Sequence, residues 1–154
     1  MELKEEYKTL CETNNKKIRS GEKVTASCTI FINDEQKTYN FNLTEKNKRT
    51  IAAELKNRII QYGAQGYIMV LDTITEKRNK DNNTIIKGEC INRTLYTPTE
   101  RISEYVWYSG TEILGTDRIE DRDNIYDYFD AWNEGDIIIE RRKELNKMLK
   151  RFKN

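Results

Sequence analysis

The stretch "KNRIIQYGAQGYIMVLDTIT", residues 56 to 75, decides the fold, because the hydrophobic period changes inside it. Ile59 and Tyr62 extend a row begun at Ile51 and Leu55, one apolar face at helical spacing. Ala52 and Ala53 favour helix, Asn42 or Thr44 supplies a cap, and Gly63 or Gly66 ends the element. From Tyr67 onward, "YIMVLDTIT" is a short apolar run that becomes alternating, as in a central strand covered by the preceding helix. A helix feeding a buried strand predicts a helix-on-sheet core, with Leu55, Ile59, Met69, Val70 and Val106 inside.

Strand signals flank this unit. Upstream, Val24, Ala26, Cys28, Ile30 and Ile32 alternate with partners of the opposite face, and after Asn33–Gln36 a second alternation runs through Tyr39, Phe41 and Leu43, which reads as a hairpin. Residues 1–20 are polar and lysine-rich, with a short helix expected from Glu2 to Cys11 and a break at Ser20-Gly21. Downstream, the charged "EKRNKDNN" reads as a turn or extended loop. "TIIKGECINRTLY" and "RISEYVWYSG" then read as strands separated by Pro98, the chain's only proline, with a last extended piece from Glu112 to Thr116. The expected fold class is α+β, a mostly antiparallel sheet in the order strand-strand-helix-strand-strand-strand, with a helix across one face and a C-terminal helical pair. One domain is expected over residues 1–154, divided into a polar segment 1–20, a sheet-and-helix core 21–116 and amphipathic helices in 117–154.

That last segment changes character. In "DNIYDYFDAW", residues 123–132, Ile125, Tyr128, Phe129 and Trp132 form one apolar helical stripe, while Asp123, Asp127, Asp130 and Glu134 repeat on the other face. Beyond Gly135-Asp136, Ile138, Leu145, Met148, Leu149 and Phe152 line a second helix opposite Lys143, Lys147 and Lys150. The charge is segregated: 8 acids and 2 bases in 117–136, then 7 bases and 2 acids in 137–154.

Composition narrows the chemistry. Of the 154 residues 34% are charged, but 27 basic and 26 acidic side chains leave a formal net charge of +1, so no whole-chain field draws it to polyanions. The start "MELKEEYKTL" has no apolar run after its charges, and no segment approaches the roughly 20 apolar residues of a membrane span, so a soluble, cytoplasmic protein is expected. Cys11, Cys28 and Cys90 are odd in number and far apart, which fits reduced thiols better than a disulfide framework or zinc motif, and Cys28 and Cys90 read as buried small hydrophobes. Histidine is absent, which removes Ser-His and Cys-His nucleophiles and the commonest general base. None of the 7 glycines forms a phosphate-binding loop. No cofactor or metal is therefore expected.

Three chemistries compete for the remaining features. Carboxylates strung along a convex helix face diverge, which disfavours a hard cation and suits a solvated face or docking to a basic partner. The lysine face of the last helix offers phosphate contacts, and Trp107, sharing a strand face with Tyr105, offers a base-stacking platform. Asp72 with Lys87 and Glu89 is the minimal kit of a metal-dependent nuclease, though the order of lysine and glutamate fits that pattern poorly.

"AQGYIMVLDTIT" followed by "PTERISEYVW" resembles small α+β proteins of unknown function encoded by phages and other mobile elements, over roughly residues 45–110, with Asp72, Arg101 and Glu104 carrying the pattern. The resemblance implies an accessory, host-directed or anti-defence role. The leading expectation is thus a non-enzymatic protein that binds another protein through Asp123, Tyr126, Asp127, Asp130, Trp132 and Glu134, aromatics anchoring and acids steering. The alternative is a nucleic-acid-binding module using Trp107, Lys143, Lys147 and Lys150. A carboxylate-based nuclease is third. Two amphipathic helices at the end of a small domain also predict a homodimer built partly on residues 123–152.

Overall fold

The computed structural model describes residues 2–79, 84–120, 129–132, 147, 148 and 150, and for 73–79 and 84–87 it describes the backbone alone. Over residues 2–120, among those described, two helices and six strands follow one another as α1 (Leu3–Arg19), β1 (Ser27–Ile32), β2 (Glu35–Asn40), α2 (Lys48–Gln61), β3 (Gly66–Asn79), β4 (Thr84–Tyr96), β5 (Arg101–Ser109) and β6 (Glu112–Glu120). The strands make one sheet in the order β2-β1-β3-β4-β5-β6, and every neighbouring pair is antiparallel.

The α+β class and the antiparallel sheet are as expected. The arrangement of helices is not. Alternate residues of the sheet face opposite ways, and each face meets its own helix. Tyr7, Cys11 and Ile18 of α1 pack with Phe31, Ile68, Val70, Ile91, Leu95 and Val106. On the other face Ala52, Leu55 and Ile59 of α2 pack with Cys28, Ile30, Tyr67, Met69 and Tyr96. The sheet therefore carries a helix on each face, and Leu55, Ile59, Met69, Val70 and Val106 are all buried as expected.

Local chemistry explains the boundaries. Thr44 and Asn47 exchange bonds ahead of α2, Thr44 N donating to Asn47 Oδ1 (2.8 Å) and Asn47 N to Thr44 Oγ1 (3.2 Å), and Asn47 is the residue at the cap position. Gly63 closes α2 in the left-handed region (φ 60°), so that Ala64 N reaches Ile59 O at 3.1 Å. The hairpin β1–β2 turns in two residues, Asn33 at φ 54° and Asp34, which is tighter than the expected four-residue turn.

Four elements depart from expectation, the first being β6, expected to end at Thr116, which instead pairs with β5 through Glu120, so that residues 117–120 are strand and not part of an amphipathic helix. Instead of a short helix, α1 runs 17 residues, with Glu5 and Glu6 in its first turn and Lys16, Lys17 and Arg19 in its last, signs that suit the helix dipole. "EKRN", read as loop, continues β3 to Asn79 opposite Thr84. Residues 129–132, expected within an amphipathic helix, form a turn. The rest of the expected C-terminal helical pair lies outside the described residues, apart from Lys147, Met148 and Lys150, which are helical.

Candidate functional site

Face parity on β4 and β5 puts Arg93 in line with Ile91 and Leu95, and Glu104 opposite it. Arg93 is 1% exposed beneath α1. Its Nη1 donates to Cys11 O (3.0 Å), Asn14 Oδ1 (3.3 Å) and Asn15 Oδ1 (2.6 Å), and its Nη2 to Glu104 Oε2 (3.0 Å). Arg118 on β6 meets the other oxygen of Glu104 at 3.4 Å, and its Nε donates to Glu120 (2.8 Å). The Tyr7 hydroxyl donates to Arg93 O at 2.7 Å. A buried guanidinium held by acceptors from α1 and a carboxylate from β5 ties helix to sheet, because a charge this deep requires a partner. A cleft of about 480 Å³ opens beside it. Burial pushes the Tyr7 hydroxyl well above its ordinary range and the Cys11 thiol up to about 12, so neither is a nucleophile here.

Asp72 lies on the same sheet face but in another row, opposite Ile91, and lines a smaller cleft of about 180 Å³ with Tyr108 and Lys23. Desolvation and then the neighbouring Glu89 raise the Asp72 carboxyl, while the Tyr108 hydroxyl bond and Lys23 oppose the rise. Tyr108 is pushed up to about 12, chiefly by burial and then by the two carboxylates. Among the described residues no group of three or more ligating side chains converges on a cation position. Lys87 contributes only its backbone to the description.

Asp72, Arg101 and Glu104, which carry the mobile-element resemblance, are not brought together. Arg101 and Glu104 sit three residues apart on β5 and so face opposite ways, Glu104 toward Arg93 and Arg101 toward Asp130 (3.7 Å).

Asp130 corrects the expected row of steering acids. It is 1% exposed, paired with the buried Arg101, and its Oδ1 accepts from Trp132 N at 3.0 Å. The physical reason is the turn: without helical geometry at 129–132, the side chain points at the sheet. Phe129 O accepts from the Tyr67 hydroxyl, which in turn accepts from Ala131 N (2.8 Å). Trp132 is half-buried with its ring 5.5 Å from Tyr67, and Tyr67 stacks on Tyr96 at 4.6 Å. The Tyr67 hydroxyl at a core position was the available signal for this docking. Asp123, Tyr126, Asp127, Glu134 and Lys143 lie outside the described residues; Lys147 and Lys150 are exposed. Trp107 is half-buried and lies over Gly88, where an added Cβ would sit 3.3 Å from its ring.

Among the described residues β6 carries exposed acidic charge. Its residues Glu112, Asp117 and Glu120 are exposed with Arg118, and Leu114 and Ile119 are 63% and 41% exposed. A bulge near Tyr108 sets the register of this edge. No helix among the described residues is long and apolar enough to cross a membrane.

Comparison with known proteins finds no family model, no curated protein and no solved structure that matches the chain.

Proposed function

We propose that the protein acts without catalysis, by binding another protein through β6 and the acidic segment that follows it. The observation that carries this reading is the exposed strand at the sheet edge. Among the described residues β6 pairs only with β5, and it presents Leu114 and Ile119 beside three carboxylates. An open edge offers backbone donors and acceptors, exposed apolar side chains supply contact area, and acids steer a basic partner. Asp123, Asp127 and Glu134 extend the same acidic run in sequence, with Tyr126 and Trp132 as anchors. Asp130 is left out because its charge is already used by Arg101.

An accessory role of the phage or mobile-element kind, a cytoplasmic setting and a homodimer through residues 123–152 belong to this reading. Cys11, Cys28 and Cys90, all buried, suit a reducing compartment. Met148, 53% exposed on a helical turn, is an apolar residue a dimer contact would cover. The second reading, nucleic-acid binding, draws on the exposure of Lys147 and Lys150. Affinity capture from a bacterial lysate, with and without nuclease, separates the two. A protein partner kept after nuclease treatment fits the proposal, whereas capture abolished by nuclease transfers the function to the lysine face.

A further inference from the structure

The opposite edge of the sheet has a feature that β6 lacks. Strand β2 runs six residues without a bulge or proline, pairs only with β1 among the described residues, and has Glu35–Thr38 and Asn40 exposed. Its Gln36, Thr38 and Asn40 share one face with their cross-strand partners Phe31, Thr29 and Ser27. Because α1 packs over the middle of the sheet, no other described residue covers this face, and a groove of about 340 Å³ separates it from the helix. Nine of the fifteen lining residues carry a hydroxyl or carboxamide, and the two charges, Glu6 and Lys17, cancel. The apolar floor is Phe31 and Val70. Thr29 and Thr38 already bond each other through their hydroxyls at 3.1 Å.

We infer that β2 and this groove form a second docking site, which accepts an extended peptide as a seventh strand. The backbone edge supplies ladder bonds, and the groove receives alternate side chains of the added strand. Hydroxyl and amide groups both donate and accept, so they satisfy neutral polar side chains; with no net charge, nothing there selects an ion. The recognised peptide therefore carries serine, threonine, asparagine or glutamine at alternate positions. On the other face of β2, Lys37 over Tyr62 and Arg58 over Tyr39, each at 5.0 Å, hold the strand in place. The inference rests on the protein-binding reading but names a different surface.

The test uses the full chain and a phage-displayed library of random ten-residue peptides. Selected peptides should show alternating neutral polar residues and shift the amide resonances of Glu35–Asn40, Thr9 and Thr13. Thr13→Arg, at an exposed helical position where arginine is a good helix former, fills the groove and should weaken them at least tenfold with the melting curve unchanged. N-methylation of a central peptide amide, which deletes a ladder bond, should do the same. A library that yields no binder, or binders that ignore Thr13→Arg or shift only β6, overturns the β2 site. A partner still captured through β6 in that case leaves the protein-binding reading standing; loss of both removes both.

Discussion

Glu104 serves two arginines of very different exposure, and the difference decides what each contact contributes. Replacing Glu104 with Gln leaves Arg93 charged at 1% exposure without its carboxylate, so a loss of about 3–5 kcal/mol is expected in denaturant titration. Arg118 is 49% exposed in its side chain, and Arg118→Gln should cost less than about 1 kcal/mol. Equal effects would mean that the buried pair is not what ties α1 to the sheet. The thiols give a pH prediction. Burial holds Cys28 protonated up to about 12 from an ordinary 9.0, and Cys11 likewise. Above pH 9 the unfolded chain releases these protons first, so the stability present below that pH falls as pH rises toward 12. Cys28→Ala should make the alkaline fall in unfolding free energy shallower. The Arg93–Glu104 pair was legible only as strand parity: Arg93 occupies an inward position in "CINRTLY", and nothing local in sequence shows that Asn14 and Asn15 of a distant helix supply its acceptors.

At the scale of elements, periodicity recovered the parts whose burial is purely apolar. The α2–β3 unit is legible because Ile51, Leu55 and Ile59 mark one helical face and Tyr67 to Val70 one strand, and Leu55→Ala should cost about 2–5 kcal/mol through lost burial and a cavity. A cost under about 1 kcal/mol would remove the helix-on-sheet packing. The long α1 was hidden because Asn14 interrupts its buried stripe of Tyr7, Cys11 and Ile18, an interruption required by Arg93. The charged end of β3 was hidden because cross-strand pairing overrode a composition that reads as loop. At 129–132 the helical spacing was real in sequence, but Tyr67 and Arg101 offered bonds that a turn satisfies better. Gly66 marks where layers meet: an added Cβ would lie 2.7 Å from Leu3 Cδ1 and 2.9 Å from Tyr96 O. Gly66→Ala should therefore destabilise by about 1–3 kcal/mol, checked in the same titration, despite alanine's smaller backbone entropy loss.

For the whole molecule, balanced net charge argues against a field-driven partner, so any binding has to be local. Among the described residues the sheet has two edges that pair on one side only and differ in chemistry, an acidic and apolar β6 and a neutral polar β2, and this asymmetry is invisible until strand order is known. A sequence places neither strand at an edge; only the topology does. The central claim is that β6 binds protein. The most direct measurement is the dissociation constant of the nuclease-resistant partner for three forms of the chain: unaltered, Leu114→Ser with Ile119→Ser, and Lys147→Gln with Lys150→Gln. The β6 form should bind at least tenfold more weakly and the lysine form as the unaltered chain does. Unchanged affinity in the β6 form, with weakened binding and a salt slope lowered by about 1 for each lysine removed, would contradict it.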